Sequence, residues 1–166
     1  MKTLFFFLLF ATTLFAKDPQ YKVGFGLGVD YALFGVNLEV ALERFHFLYG
    51  ISAVELEGGS ESINKNTARG HVVGLKYFFT KEGAKLRQGV GVNYGAVDAQ
   101  STYIDENELL GIEGGYLDKI VYGLNAYYEL QHDVGEEDFF KFHYALGYSY
   151  GGPMPIAFAI GVGLWL

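Results

Sequence analysis

Four histidines are the side chains in this sequence best suited to acid-base or metal chemistry: His46, His71, His132 and His143. The chain has no cysteine, so a thiolate metal site is excluded. Two ligands on one face of a strand stand at positions i and i+2, and no two of these histidines have that spacing. We therefore predict no catalytic residue, no metal site and no cofactor.

Alternate glycines at Gly24, Gly26 and Gly28 could suggest a nucleotide-binding loop. A glycine-rich phosphate loop follows a strand and opens a helix, so that backbone N–H groups point at the phosphate. These glycines instead alternate with Phe25 and Leu27, a spacing that places them on one side of a strand. The glycine run is therefore interpreted as strand.

Composition and charge exclude several classes of protein. Of the 166 residues, 19% are charged and 51% hydrophobic, against roughly 25% charged in soluble domains. Residues 1–16 combine a positive start, an apolar middle and a final Ala16, which indicates a cleaved signal peptide and export. Removing Lys2 leaves 11 basic and 19 acidic side chains, a net charge of -8, so nucleic acid is not an expected partner. Residues 17–166 show no internal boundary and are predicted to form one domain.

Beyond residue 20 the dominant hydrophobic period is two, which is typical of strands with one apolar face. With the exception of Gln88, apolar residues occupy every second position of eight segments: Tyr21–Tyr31, Val36–Leu42, Phe47–Ala53, Val73–Phe79, Leu86–Ala96, Ile120–Leu130, Phe140–Tyr150 and Ile156–Leu166. The sequence therefore predicts an all-β protein of eight strands.

The predicted connections alternate in length. The short ones are 32–35, 44–46, 80–84, 131–138 and 151–155, and the long polar ones are 55–70 and 97–119. Both long connections fall on the same side of an up-and-down sheet, the asymmetry of an outer-membrane barrel with short periplasmic turns and long outer loops. An even number of antiparallel strands also allows the sheet to close, so that no edge meets lipid.

The second face of each strand indicates which way the apolar face points. It is rich in glycine and alanine, with few charges, which fits the cramped interior of a narrow barrel better than a water-exposed surface. We predict that opposite charges pair inside, with His143 bonding near Glu129 or Lys141, and that the lumen is closed. The predicted lumen network is Lys22, Asp30, Glu39, Glu43, Lys76, Arg87, Glu129, Lys141 and His143.

Aromatic residues on the apolar face gather toward the strand ends, whereas the strand centres are aliphatic. This banding favours a bilayer outside the barrel and predicts two aromatic girdles. The periplasmic girdle would comprise Tyr21, Tyr49, Tyr77, Phe79, Tyr128, Phe140 and Phe142; the outer girdle would comprise Tyr31, Tyr94, Tyr122, Tyr148 and Tyr150. A secreted, lipocalin-like binder of an apolar ligand, with the same face turned inward, remains the soluble alternative.

With its eight alternating strands, loop asymmetry and apolar last strand, the chain resembles the small outer-membrane β-barrels of Gram-negative bacteria, of the OmpA-transmembrane-domain and OmpX type. The resemblance implies an eight-stranded antiparallel up-and-down transmembrane β-barrel among outer-membrane lipid and lipopolysaccharide. It also implies that the barrel-assembly machinery reads the last strand. The implied signal comprises Ile160, Val162, Leu164, Trp165 and Leu166, although the family's terminal aromatic residue is replaced by leucine.

A lipid A-modifying enzyme on a small barrel is the catalytic alternative. A deacylase of that type would have a serine two residues from a histidine, but the residues two beyond His143, His71 and His132 are Ala145, Val73 and Val134. We therefore predict a protein of envelope structure or surface interaction. Acidic residues in 55–70 and 97–119 could hold divalent cations shared with lipopolysaccharide, but the sequence does not indicate what these loops bind.

Overall fold

The computed structural model describes residues 19–58, 66–81, 84–104, 115–134 and 140–166. These residues form eight strands: β1 Gln20–Gly28, β2 Leu33–Leu42, β3 Phe45–Gly58, β4 Asn66–Phe78, β5 Leu86–Ile104, β6 Gly115–Val134, β7 Phe140–Tyr150 and β8 Ile156–Trp165. Each strand is antiparallel to its neighbours in chain order, and β8 pairs with β1. The predicted closed up-and-down barrel is confirmed. The predicted signal peptide, 1–16, lies outside the described residues.

Closure between the first and last strands runs from the pair Lys22–Trp165 to the pair Gly28–Ala159. Beyond this ladder, the backbone N–H of Leu166 donates to the carbonyl of Tyr21 at 2.8 Å. Within the closed part of the described barrel, each strand therefore has two hydrogen-bonded neighbours and no edge is left free. We call the end where β1 begins and β8 finishes the terminus end, and the opposite end, which carries the β1–β2 connection, the loop end. Within the described part of the chain, no helix is long and apolar enough to cross a membrane.

The two faces of the sheet differ as the period of two predicts. In β1, Val23, Phe25 and Leu27 are exposed on the outside, whereas Lys22 and the intervening glycines are buried inside. Strand β7 repeats this alternation along its whole length. Side chains of opposite character therefore lie on opposite sides of one wall, with the polar side enclosed.

Four residues assigned to the outward apolar set are buried: Val29 and Tyr31, which lie beyond the end of β1, and Val40 and Ala96, which lie within strands. Val40 pairs with Tyr21 on one neighbouring strand and with Phe47 on the other, and it is buried between these larger residues. Ala96 packs in a cluster with Ala32 and Val72, because β5 shifts register immediately after Ala96 and the strict alternation ends there.

The two long connections were predicted too long. Pairing between β3 and β4 continues to Gly58 and Asn66, and pairing between β5 and β6 continues to Ile104 and Gly115. Pairing between β4 and β5 ends at Val72 and Gly95, so two separate two-stranded ribbons extend from the loop end. The hydrophobic pattern did not predict these ribbons, because their sequence is largely polar and cross-strand backbone pairing does not require an apolar face.

The first connection was also misplaced. Strand β1 ends at Gly28, and the turn occupies residues 29–32, not the predicted 32–35. Gly28 has a φ of 101°, a conformation that glycine adopts without steric cost. The next four residues, Val29 to Ala32, are all buried. We call these four residues the inward turn, because they lie inside the barrel at its loop end.

Candidate functional site in the barrel lumen

A lysine lies at the centre of the lumen's polar network. The Nζ atom of Lys76, on β4, is 2.7 Å from Asp30 Oδ2, 2.8 Å from Glu39 Oε1 and 2.9 Å from Glu129 Oε2. The three carboxylates come from the inward turn, β2 and β6 respectively, and all four side chains are buried. Buried charges are tolerated only when paired and hydrogen-bonded, so this cluster ties three parts of the wall together.

Glu39 is the second centre of the network. Its Oε1 atom also pairs with Lys22 Nζ at 2.7 Å, and its Oε2 atom lies 3.2 Å from His46 Nδ1. On the other side of Lys76, Glu129 Oε1 accepts from Gln131 Nε2 at 2.9 Å and lies 3.2 Å from His143 Nδ1. Each carboxylate is therefore held by groups from several strands, and His143 lies near Glu129, one of its two predicted partners.

Asp30 receives hydrogen bonds from the opposite wall. Its Oδ1 atom accepts from Asn93 Nδ2 at 2.9 Å and from the hydroxyl of Tyr127 at 2.7 Å. Asn93 is in turn held by Asn125, whose Nδ2 donates to Asn93 Oδ1 at 2.7 Å. The two asparagines and Tyr127 were not among the predicted site residues. Their inward position in the alternation was the available signal.

Tyr31 corrects one of the predictions. It was assigned to the outer aromatic girdle, but its side chain is fully buried in the lumen. Its hydroxyl contacts His143 Nε2, and its ring lies over Gly26 and Gly161, where an added Cβ would overlap it. The error has a simple cause: residue 31 lies in the inward turn, where the alternation of β1 no longer applies.

Glu43 corrects a second prediction. It was placed in the lumen network, but it is exposed, in the turn between β2 and β3 at the terminus end, with a φ of 56°. Strand β2 ends at Leu42, so extending its alternation by one residue assigned Glu43 to the wrong environment.

Aromatic and cationic side chains fill the lumen toward the terminus end. The guanidinium carbon of Arg87 lies 4.4 Å from the ring centre of Phe78, and the ring of His46 lies 4.6 Å from the same ring. Arg87 Nη2 is 3.4 Å from His46 Nε2. Lys141 is also buried on the inner face. Cation–π contact and ring packing therefore occupy this end of the interior.

Asp30, Glu129 and His143 could by residue type hold a metal ion, since their ligand atoms lie within 4.8 Å of one another. The ammonium group of Lys76 already lies against both carboxylates at 2.7 and 2.9 Å. The cluster is therefore arranged around a lysine cation, and we assign it no metal.

The outer face carries most of the other predicted residues. Tyr94 and Tyr122 stack with ring centres 6.0 Å apart near the loop end. The remaining girdle residues are at least partly exposed on the outside: Tyr21, Tyr49, Tyr77, Phe79, Tyr128, Phe140, Phe142, Tyr148 and Tyr150. In the last strand, Ile160 is exposed, Val162 and Leu164 are half-buried, and Leu166 follows the strand in an exposed position.

The closed strand order and the enclosed charges define the class of architecture: an eight-stranded up-and-down β-barrel with a filled polar interior. Among solved structures, the chain is similar to the N-terminal β-barrel domain of Pseudomonas aeruginosa OprF, with a TM-score of 0.51. The similarity covers 89% of this chain and 96% of that one, at 14% sequence identity, and shows the fold. No protein-family model and no curated protein matches the sequence.

Proposed function

We propose that this protein is an outer-membrane β-barrel with a closed polar lumen, which serves envelope structure or surface interaction through its outer loops. The observation that carries the proposal is the inverted distribution of polarity. Leu146 and Tyr150 are 66% and 72% exposed on the outside, whereas Lys22 and Lys76 are 1% exposed in the interior. Apolar side chains facing lipid and polar side chains facing a lumen are what a bilayer requires of a barrel.

The soluble alternative fits this distribution poorly. A lipocalin-like barrel encloses an apolar cavity for its ligand. Here the interior of the described barrel is occupied by ion pairs, amides and the inward turn. A continuous apolar exterior would also be an aggregation hazard in water.

The enzymatic alternative has no supporting arrangement among the described residues. His143 faces the lumen, where Tyr31 and Glu129 contact it. His71, on the outer face, lies 2.9 Å from the hydroxyl of Tyr49. Lipid-ester chemistry needs an activated nucleophile within reach of a lipid, and neither histidine is placed beside a serine on that surface.

The proposed orientation puts the terminus end in the periplasm and the loop end outside the cell, with lipid and lipopolysaccharide around the wall. We further propose a cleaved signal peptide at 1–16 and assembly through the last strand, Ile160–Leu166. The two ribbons that extend from the loop end would then carry the outer loops, where binding residues are expected.

Cell fractionation and heat-modifiability test the proposal. The protein should occur in the outer-membrane fraction and run faster on SDS gels when unheated than when boiled, because a closed barrel resists the detergent. A periplasmic product with the same mobility in both lanes would contradict it. Mass spectrometry of lipid A with and without the protein tests the enzymatic alternative, and we expect an unchanged acyl pattern.

A further inference from the structure

The carboxylate of Asp30 is bound in the way that proteins bind a ligand carboxylate. An ammonium group, Lys76 Nζ, lies 2.7 Å from one oxygen. An amide, Asn93 Nδ2, and a phenol, the Tyr127 hydroxyl, donate to the other oxygen at 2.9 and 2.7 Å. An ion pair at one oxygen and two hydrogen bonds at the other together give both strength and orientation.

These donors belong to the barrel wall and not to the segment they hold. Lys76, Asn93 and Tyr127 lie on three adjacent strands, β4, β5 and β6, and each is at least nine-tenths buried. Asn125 orients Asn93, and Glu129 orients Lys76. Side chains on paired strands, fixed by further hydrogen bonds, form a preorganised site.

We propose that Lys76, Asn93 and Tyr127 form a binding site for a small carboxylate in the lumen, and that the inward turn occupies it with its own Asp30. A carboxylate from solution takes this place when the turn's carboxylate is absent. The proposal rests on the proposed function only for its orientation, which places the inward turn at the end of the barrel that lies outside the cell.

The inward turn fills the site because contacts with the barrel wall hold it there. Those contacts impose a backbone conformation that its residues would otherwise disfavour. Ala32, the last residue of the turn, and Leu33, the first residue of β2, have φ values of 51° and 85°, in the left-handed region that L-residues with a Cβ disfavour. Such conformations persist only where surrounding contacts impose them. Those contacts come from around the wall: Val29 packs with Ala157 and Ala159 on β8, and Ala32 packs with Val72 on β4.

Chemical rescue of Asp30→Ala tests the site. The variant keeps Cβ and loses only the carboxyl group, so the space left has the size of formate. We expect the variant to refold less completely in chloride than the parent chain. Formate at the same ionic strength should raise the refolded, heat-modifiable fraction, saturably with concentration, as binding to the folded state requires. Acetate should act more weakly, because its methyl group would meet the alanine side chain.

Asp30→Asn is the matched control, since its amide fills the space and formate should leave its refolded fraction unchanged, as in the parent chain. If Asp30→Ala does not fold in chloride, recovery of the folded band in formate supports the site, and failure in both salts contradicts it. Equal effects of formate on all three chains, or no effect on Asp30→Ala, would also overturn it. Either result leaves the outer-membrane proposal standing, because fractionation of the parent chain tests that separately.

Discussion

Tyr31 and His143 lie 112 positions apart in the sequence, yet the hydroxyl of the tyrosine contacts Nε2 of the histidine inside the lumen. Their ring centres are 5.2 Å apart at an interplanar angle of 61°. The contact joins the inward turn to β7, across the interior. This contact helps to hold the inward turn inside the lumen, where the turn fills the loop end of the barrel.

The space for Tyr31 depends on a missing side chain. Gly161→Ala should destabilise the barrel by about 1–3 kcal/mol, because the added methyl group would overlap the Tyr31 ring and force repacking. Urea unfolding in lipid vesicles measures the change. Combining it with Tyr31→Leu, which shortens the side chain, should cost less than the sum of the single changes. Strictly additive costs would show that the ring does not occupy this position.

Lys76 is the cation shared by three buried carboxylates, so its charge should be required. Lys76→Met should cost about 3–5 kcal/mol of unfolding free energy, because it leaves Asp30, Glu39 and Glu129 without their shared cation. Lys81→Met, at an exposed position beyond β4, is the control and should change stability by less than about 0.5 kcal/mol. Similar unfolding curves for the two variants would be incompatible with the lysine-centred network.

The free-energy cost of placing a charged side chain on the outer wall should depend on its depth in the bilayer. Leu146 and Met154 are almost equally exposed, at 66% and 67%, but Leu146 lies within β7 and Met154 lies in the β7–β8 connection. Leu146→Lys should cost about 2–4 kcal/mol if the side chain meets the bilayer centre, and Met154→Lys much less. Unfolding from vesicles measures both, and equal costs would argue that the wall faces water.

A filled lumen should not conduct ions. The purified protein in planar bilayers is expected to show no steady conductance, because ion pairs and the inward turn occupy the interior. A steady current that disappears when Arg87 or Lys76 is replaced would place the conducting path through the lumen and refute closure. A current insensitive to both changes would point to a leak outside the barrel.

The hydrophobic period of two in the sequence is sufficient to predict the strands and which of their side chains face inward. It predicts eight strands, their antiparallel order and the inner position of residues such as Lys22, Glu39 and Lys76, because a strand sends successive side chains to opposite faces. It could not place Tyr31 or Glu43, since alternation holds only while the chain remains in a strand.

Only the tertiary structure shows which of the inward-facing side chains contact one another. The sequence predicts which carboxylates face inward, but the sharing of Lys76 among Asp30, Glu39 and Glu129 depends on the register of distant strands. Burial of the inward turn likewise depends on glycines of β1 and β8 that leave room for the Tyr31 ring. Local pattern fixes the direction of a side chain, whereas closure of the sheet fixes its neighbours, because closure brings residues far apart in the chain within bonding distance.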